Sequence, residues 1–443
     1  MAQRAQRSLE AARKAVPEGT FAVGAGLLIV GLAAYGFQIL SFRALSKGDY
    51  TALNGLWVVV FVTAPGFFLP LDQEVGRALA DRGARGVGGG PLVRRAAFLG
   101  SLLTAALILV AFGLGPFLID DIFHGRDLLI ICFAIALVTY AFQHLTRGTL
   151  SGNGRFGPYG KVFAFEGVCR IVPVVALWIA GVDEPFYYGL CLALPPAVAS
   201  AWALRGQKGL LAPGPAAPYS ELSSSLGFLF LGSVLAQALG YAAFLTATVL
   251  ATDSERDAVA DFIVGLFLAR IPILLFQAVQ AALLPKLAGL AGAGRHDDFR
   301  SGLRKLILVV LGIGVLGVVG GFTLGPWVGG VLFGDKFILG HRDLALLAAG
   351  SGAFILALTL AQALIALMGH ARVTGAFALG IVGFAIVTAL GDDLFLRVEL
   401  GYLAGSLIAA AAMAALLLQR MRSGVPDSFV PLANVIEHEP LEI

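Results

Sequence analysis

Residues 306–328 read LILVVLGIGVLGVVGGFTLGPWV, and this stretch decides the fold class. None of its side chains is charged. Wound as an α-helix, about 20 such residues cover the roughly 30 Å hydrocarbon thickness of a bilayer. Working outward in both directions, apolar runs of this kind recur near 19–41, 51–71, 96–119, 128–146, 162–182, 186–204, 224–250, 259–284, 306–328, 344–368, 373–391 and 398–418. Twelve spanning helices are expected, making the chain an all-α polytopic membrane protein.

The composition agrees. Of 443 residues, 58% are hydrophobic and only 13% charged, with a mean hydropathy of +0.86. Soluble domains carry about 25% charged residues, so a water-soluble enzyme, a nucleic-acid binder and a disordered scaffold are excluded. Cys132, Cys169 and Cys191 lie inside apolar runs and offer neither a disulfide framework nor metal-ligand spacing. The first run follows Arg4, Arg7, Arg13 and Lys14. It is too long for a signal-peptide core and no A-x-A site closes it, so it is read as the first span.

Lys and Arg set the orientation. With the N-terminus inside, most of the 31 basic residues fall in the N-terminal segment, loops 72–95, 147–161, 205–223, 285–305 and 369–372, and the tail. The opposite side holds only Arg43, Lys47, Arg126, Arg256, Lys336, Arg342 and Arg397. Both termini are therefore expected in the cytoplasm. Segment 205–223 contains Pro213, Pro215 and Pro218 and reads as a linker between an N-terminal lobe, 1–212, and a C-terminal lobe, 213–422, with a short polar tail at 423–443.

The two lobes share a pattern. Leu114-Gly115-Pro116-Phe117 followed by Ile122-Phe123-His124-Gly125 parallels Leu324-Gly325-Pro326-Trp327 followed by Leu332-Phe333-Gly334-Asp335. Arg94-Arg95 and Arg304-Lys305 precede the two copies, and Gly152-Asn153-Gly154-Arg155 parallels Gly369-His370-Ala371-Arg372. Six helices per lobe give repeats of one orientation, related by an axis along the membrane normal.

Two G-x-G-x-x-G matches, 152–157 and 312–317, lack the strand-then-helix context of a dinucleotide site. In the second, Gly317, Gly321 and Gly325 form a ridge for helix contact instead. No phosphate-cradling G-x-x-x-x-G-K-[ST] occurs, so no ATP hydrolysis, no cofactor and no metal are expected.

Ionisable residues deep in spans are the informative ones, since a charge at mid-bilayer costs on the order of 3 kcal/mol or more. Glu166 and Arg170 share one face of the fifth span at i, i+4. They are either a self-neutralised pair or part of a cavity. Arg270 in the eighth span has no acid on its own helix within reach, which favours a cavity role; Pro272 beside it frees a carbonyl near 268. Pro65, Pro173, Pro195 and Pro196 interrupt other spans. Gln143 and His144, beside Arg147, read as interface markers; Asp72, Glu74 and Arg77 read as a solvated helix end.

Three segments resemble the oligosaccharide/polysaccharide flippases (Wzx-type) of the multidrug/oligosaccharidyl-lipid/polysaccharide exporter (MOP) superfamily. They are Phe267-Leu268-Ala269-Arg270-Ile271-Pro272 through Ala282-Leu283-Leu284-Pro285-Lys286-Leu287 to Asp298-Phe299; Arg147 to Phe156 with Tyr159-Gly160; and Arg43-Ala44-Leu45-Ser46-Lys47-Gly48-Asp49-Tyr50. The resemblance implies a MATE-like fold, in which two six-helix lobes surround a cavity that opens alternately to each side. It also implies a bacterial inner-membrane location and an isoprenoid-diphosphate-linked oligosaccharide as cargo. The partners it implies are that lipid-linked oligosaccharide, membrane lipids, a coupling ion (H+ or Na+), and glycosyltransferases or a polymerase working alongside, with no nucleic acid. Arg270, Arg170, Arg43 and Arg147 are the basic residues here that would meet the diphosphate. The alternative on the same fold is a cation-coupled drug antiporter, which requires titratable acids in the N-terminal lobe; Glu166 is the deep acid there. A glycosyltransferase or polymerase would need a long external loop with catalytic acids, and the external loops are short. The lipid II flippases carry two further C-terminal helices, so a peptidoglycan precursor is a less suitable cargo.

Overall fold

A computed structural model describes residues 20–218, 221, 226–252, 254–273, 295–334, 337, 339–367 and 370–422. Its elements are α1 (Thr20–Ala44), α2 (Lys47–Ala84), α3 (Gly90–Gly113), α4 (Leu128–Gly152), α5 (Phe156–Ile179), α6 (Pro185–Ala193), α7 (Pro195–Leu204), α8 (Leu226–Leu250), α9 (Arg256–Ala269), α10 (His296–Thr323), α11 (Gly325–Phe333), α12 (His341–Ala366), α13 (His370–Ala389) and α14 (Leu394–Arg422), with no strand among the described residues. Eleven stretches, α6 and α7 together making one, are long and apolar enough to cross a membrane. The remaining expected span, 259–284, is α9 and a helical turn at 271–273; residues 274–294, including the Ala282–Leu287 segment of the resemblance, lie outside the described residues.

Prolines place the breaks. The sixth span divides at Leu194 because Pro195 and Pro196 have no N–H to donate backwards. The Ala193 carbonyl, beside that break, is taken by Thr139 Oγ1 of α4 at 2.6 Å. α2 instead runs unbroken through Pro65 and Pro70 to Ala84, well past the span expected to end near 71. Asp72 and Glu74 are consequently buried in helix, 4% and 5% exposed, and do not form a solvated helix end.

The Leu-Gly-Pro repeat is a structural repeat. α3 ends at Gly113 and α10 at Thr323, capped by Leu114 and Leu324, and in each case the chain restarts as helix with its proline in the first turn. Seven residues past each proline a phenylalanine is buried, Phe123 and Phe333. The residue after each phenylalanine has a positive φ: 46° at His124 and 83° at Gly334. Glycine fits that conformation freely; His124 is the non-glycine residue with positive φ among the described residues.

Helices pair by one scheme in both halves. In the first half, α1 packs on α5, α2 on α4, α3 on α4, and α4 and α5 on α6–α7. In the second, α8 packs on α13, α9 on α12, α10 on α12, and α12 and α13 on α14. The halves meet chiefly through α2, which lies against α8 and α9, and one contiguous apolar core runs from Phe37 through to Leu417. Leu109, Leu316, Trp327 and Leu390 point outward, between 68% and 81% exposed, as expected of surfaces whose solvent is lipid.

The segment after α7 is strapped to the first half. Arg82, 1% exposed, donates to the carbonyls of Gly88 (2.9 Å), Pro215 (3.2 Å) and Ala216 (3.3 Å) and to Glu221 (2.7 Å). The hydrogen bonds from Arg82 hold the Glu221 carboxyl below the ordinary carboxylate range.

α1 and α5 touch backbone to backbone. A Cβ on Gly26 would stand 2.2 Å from the Gly160 carbonyl oxygen, and one on Gly160 would stand 2.4 Å from that of Ala22. A side chain at Gly160 must therefore push the helices apart. Gly160→Val should cost about 1–3 kcal/mol through overpacking and lower the thermal unfolding temperature of the detergent-purified protein. Gly24→Ala, whose Cβ meets nothing within 4 Å, should leave it unchanged or slightly raised.

Candidate functional site

The deep polar residues of the first half form two connected groups between α2, α4 and α5. Glu166, 4% exposed, and Arg170, 1% exposed, are ion-paired along α5. Gln143 Nε2 of α4 donates to Glu166 Oε2 at 2.7 Å, and Arg170 Nη2 donates to Tyr140 Oη at 3.1 Å. The Arg170 guanidinium also lies over the Trp57 ring at 5.8 Å. Of the two readings open from the sequence, this geometry is that of the neutralised pair. A further turn along, Asp72 of α2 is ion-paired with Arg147 at 3.2 Å and faces His144 Nδ1 at 3.3 Å. Arg147 is stacked on Phe163 at 4.6 Å. Gln143 and His144, 1% and 3% exposed, are thus members of a buried network rather than markers of the membrane interface.

Arg43 is elsewhere. At the end of the bundle where α2 begins, its Nε and Nη2 donate to the carbonyls of Leu332 and Val331, both at 2.9 Å. These are among the last carbonyls of α11, where a cation meets the negative end of the helix dipole. Beside it Lys47 of α2 pairs with Asp261 of α9 at 2.8 Å, and Phe42 meets Phe333 edge-on at 5.5 Å. The halves are therefore pinned together at this end.

Arg270 lies at the meeting of the halves. Half-buried just past the end of α9, it donates through Nη2 to the Gly240 carbonyl of α8 and stacks on Tyr241 at 4.3 Å. Tyr35 of α1 and Tyr402 of α14 lie within its electrostatic reach. Tyr35 also donates to the Phe267 carbonyl at 3.1 Å, near the end of α9. No acid among the described residues pairs with Arg270.

Farther along α8, toward the end where α2 finishes, a cavity of about 320 Å³ separates the halves. Its lining includes Pro70 and Gln73 of α2, Ser233 and Gln237 of α8, Gln362 of α12 and Phe377 of α13. None of its described lining residues is charged. At its α2–α8 edge, Gln237 Nε2 donates to the Phe61 carbonyl at 2.8 Å, and Ser233 Oγ to the Pro65 carbonyl at 3.1 Å. Phe61 is four residues before Pro65, whose missing N–H leaves that carbonyl without its helical donor. Gly240, which holds Arg270, is one turn from Gln237.

Sequence reading did not single out Lys47 with Asp261, nor Tyr35, Tyr241, Tyr402 and Gln237. The available signals were Pro65 and Pro272, which announce freed carbonyls without naming the side chains that gather there.

Because Glu166 and Arg170 neutralise each other away from water, removing one alone strands the other. Glu166→Gln should destabilise the protein by about 3–5 kcal/mol, and Glu166→Gln with Arg170→Gln by less than the two single changes summed. Denaturant unfolding in detergent for the double-mutant cycle measures this; additive losses would mean that the two groups do not act as a pair.

No protein-family model matches the sequence. Among curated proteins, the chain is similar to an uncharacterised protein of Mycobacterium tuberculosis, 26% identical over 95% of this chain and 98% of the relative. It is also similar to an uncharacterised protein of Mycobacterium bovis, 23% identical over 85% of this chain and 86% of the relative. Among solved structures, the Vibrio cholerae MATE transporter VcmN superposes with a TM-score of 0.68 at 16% identity, covering 93% of this chain and 98% of that one. A MOP-superfamily transporter of Pyrococcus furiosus, whose reversed binding-pocket polarity suggests a different function, gives 0.68 at 15% identity over 91% and 96%. The chain is an all-helical, multi-pass protein with a MATE-like fold.

Proposed function

We propose that this protein is a flippase of the bacterial cytoplasmic membrane. It moves an isoprenoid-diphosphate-linked oligosaccharide to the outer leaflet for cell-surface polysaccharide synthesis, by alternating access of lobes 1–212 and 213–422. The observation that carries the reading is Arg270: a guanidinium with no acid paired to it among the described residues, at the junction of the halves and one turn from the cavity edge. A guanidinium held by a carbonyl and a tyrosine ring keeps donors free for the oxygens of a diphosphate. Gln73, Gln237, Gln362 and Ser233 are uncharged hydrogen-bonding groups suited to sugar hydroxyls. Arg170, Arg147 and Arg43 are engaged by Glu166, Asp72 and α11, so Arg270 bears the phosphate role in this conformation. With the N-terminus cytoplasmic, the end pinned by Lys47–Asp261 faces outward and the cavity is on the cytoplasmic side. The glycan lipid would enter there, with glycosyltransferases supplying it.

A second reading, a cation-coupled drug antiporter, is supported by neighbours that include an outward-facing multidrug resistance MATE transporter at a TM-score of 0.67. The pairing of Glu166 with Arg170 weighs against it, because an exchanging acid must release its proton or cation.

Liposomes holding the protein and a fluorescent isoprenoid-diphosphate oligosaccharide test this. Arg270→Ala should slow flipping about tenfold or more, the equivalent of one charge-assisted hydrogen bond, with Arg270→Lys in between and the exposed Arg300→Ala at the wild-type rate. Wild-type rates in Arg270→Ala would remove that arginine from the mechanism. Cation-driven drug efflux without glycan-lipid flipping would favour the antiporter.

A further inference from the structure

Glu399, in the second turn of α14, is 0% exposed, and among the described residues neither of its carboxylate oxygens has a hydrogen-bond partner. It differs in this from Glu166 and Asp72, buried to a similar degree but engaged by partners. Tyr402 and Ser406 follow it at i+3 and i+7 on one face of α14. That face lies on α12: a Cβ on Gly350 would come within 2.5 Å of the Tyr402 ring. The neighbouring face, at Gly401 and Gly405, lies on α13.

Among the described residues, the charged groups around Glu399 are few. From α12 come Asp343 and Arg342, paired with each other at 2.8 Å. Asp393, exposed, comes from the turn before α14. Among the described residues, these three are the charges within electrostatic reach of Glu399. Arg397 of its own helix reaches the Gly391 carbonyl instead. α8 contains no charged residue, and the charge-bearing positions of α13, His370 and Arg372, lie at the opposite end of that helix. α9 meets the start of α14 through Phe262 and Phe395, with rings 5.1 Å apart; its Asp261 is taken by Lys47.

An ionised carboxylate with no donor among the described residues, and whose nearby cation Arg342 is already paired to Asp343, is a costly arrangement, and the cheapest relief is a proton. A metal ion is a poor alternative: Ca²⁺ and Mg²⁺ need about six oxygen ligands, and no group of three potential ligands occurs among the described residues.

We propose that Glu399 is a proton-binding site of the C-terminal half. The carboxylate takes one proton from hydronium arriving past Asp343 and Asp393, water is released, and the site passes from −1 to neutral; the reverse step returns the proton. Neutral, Glu399 is compatible with the dry α12–α14 contact. Charged, it requires water or a donor, so α14 must part from α12 at that end. The protonation state of one side chain thereby biases how the second half packs, which is what a proton-coupled rocking motion requires.

The existence of this site does not depend on the cargo, so the test uses no transport substrate, and its failure leaves the flippase reading standing. Infrared difference spectra of the full chain in lipid, wild type against Glu399→Gln, report the protonated-carboxyl stretch directly. The expected result is one such band at neutral pH in the wild type, absent from Glu399→Gln, lost on alkalinisation and indifferent to added Na+ or K+. A wild type without that band at neutral pH overturns the proposal, as does a band lost on adding Na+ at constant pH. Where Glu399→Gln does not fold, Glu399→Asp keeps the acid and must show the band at a shifted frequency; no band there overturns the proposal equally.

Discussion

A backbone carbonyl facing hydrocarbon must find a donor inside the protein, because there is no water to supply one. At several places where this chain breaks or bends a helix, a side chain from a different helix answers that requirement. Pro65 frees the Phe61 carbonyl in α2, and Gln237 of the second half covers it. At the end of α9 the Phe267 carbonyl, already bonded by the Arg270 N–H, takes a second donor from Tyr35 of the first half. The last carbonyls of α11 are covered by Arg43, also of the first half. Beside the apolar packing of α2 on α8 and α9, part of the contact between the halves is thus made of side-chain caps exchanged across the seam.

Such caps differ from apolar packing in one useful respect. A carbonyl that loses its side-chain donor is satisfied again by water, at a net cost of about 0.5–1.5 kcal/mol per hydrogen bond, provided that water can reach it. At the Gln237 and Ser233 contacts the inter-half cavity lies alongside, so separation there is cheap. At the opposite end, parting the halves must also break Lys47–Asp261, whose acid is 1% exposed, and unstack Phe42 from Phe333. The asymmetry gives the seam one end that opens readily and one that is held.

How much of this was legible in the sequence depended on whether the informative residues are close together in the chain. The Leu-Gly-Pro repeats are local, so their parallel was legible, although the breaks they make at Leu114 and Leu324 fall inside stretches read as single spans. Glu166 and Arg170, one turn apart, were readable as a pair. Asp72 and His144 are 72 residues apart, and Lys47 and Asp261 are 214 apart. Nothing in an apolar run marks which face meets which neighbour, so Asp72 read as a surface charge. Glu399 was missed despite a local signal, an acid inside the apolar run 398–418. Its position in the second turn of α14, at the edge of that run, made it look like an end.

Arg170 and Arg270 show why the residue type alone could not assign the site. Both are arginines in spans, and both lie near aromatic rings, over Trp57 and Tyr241. Arg170 has its countercharge on the next turn of its own helix and a second hydroxyl partner; bringing an anion to it would require displacing Glu166 from a dry site, which is strongly unfavourable. Arg270 is held by a carbonyl and by a ring, neither of which cancels its charge. An anion approaching it loses hydration but gains a full countercharge, and no existing ion pair among the described residues has to be broken. Of the basic residues deep in the described spans, Arg270 is the one whose surroundings leave an anion something to gain.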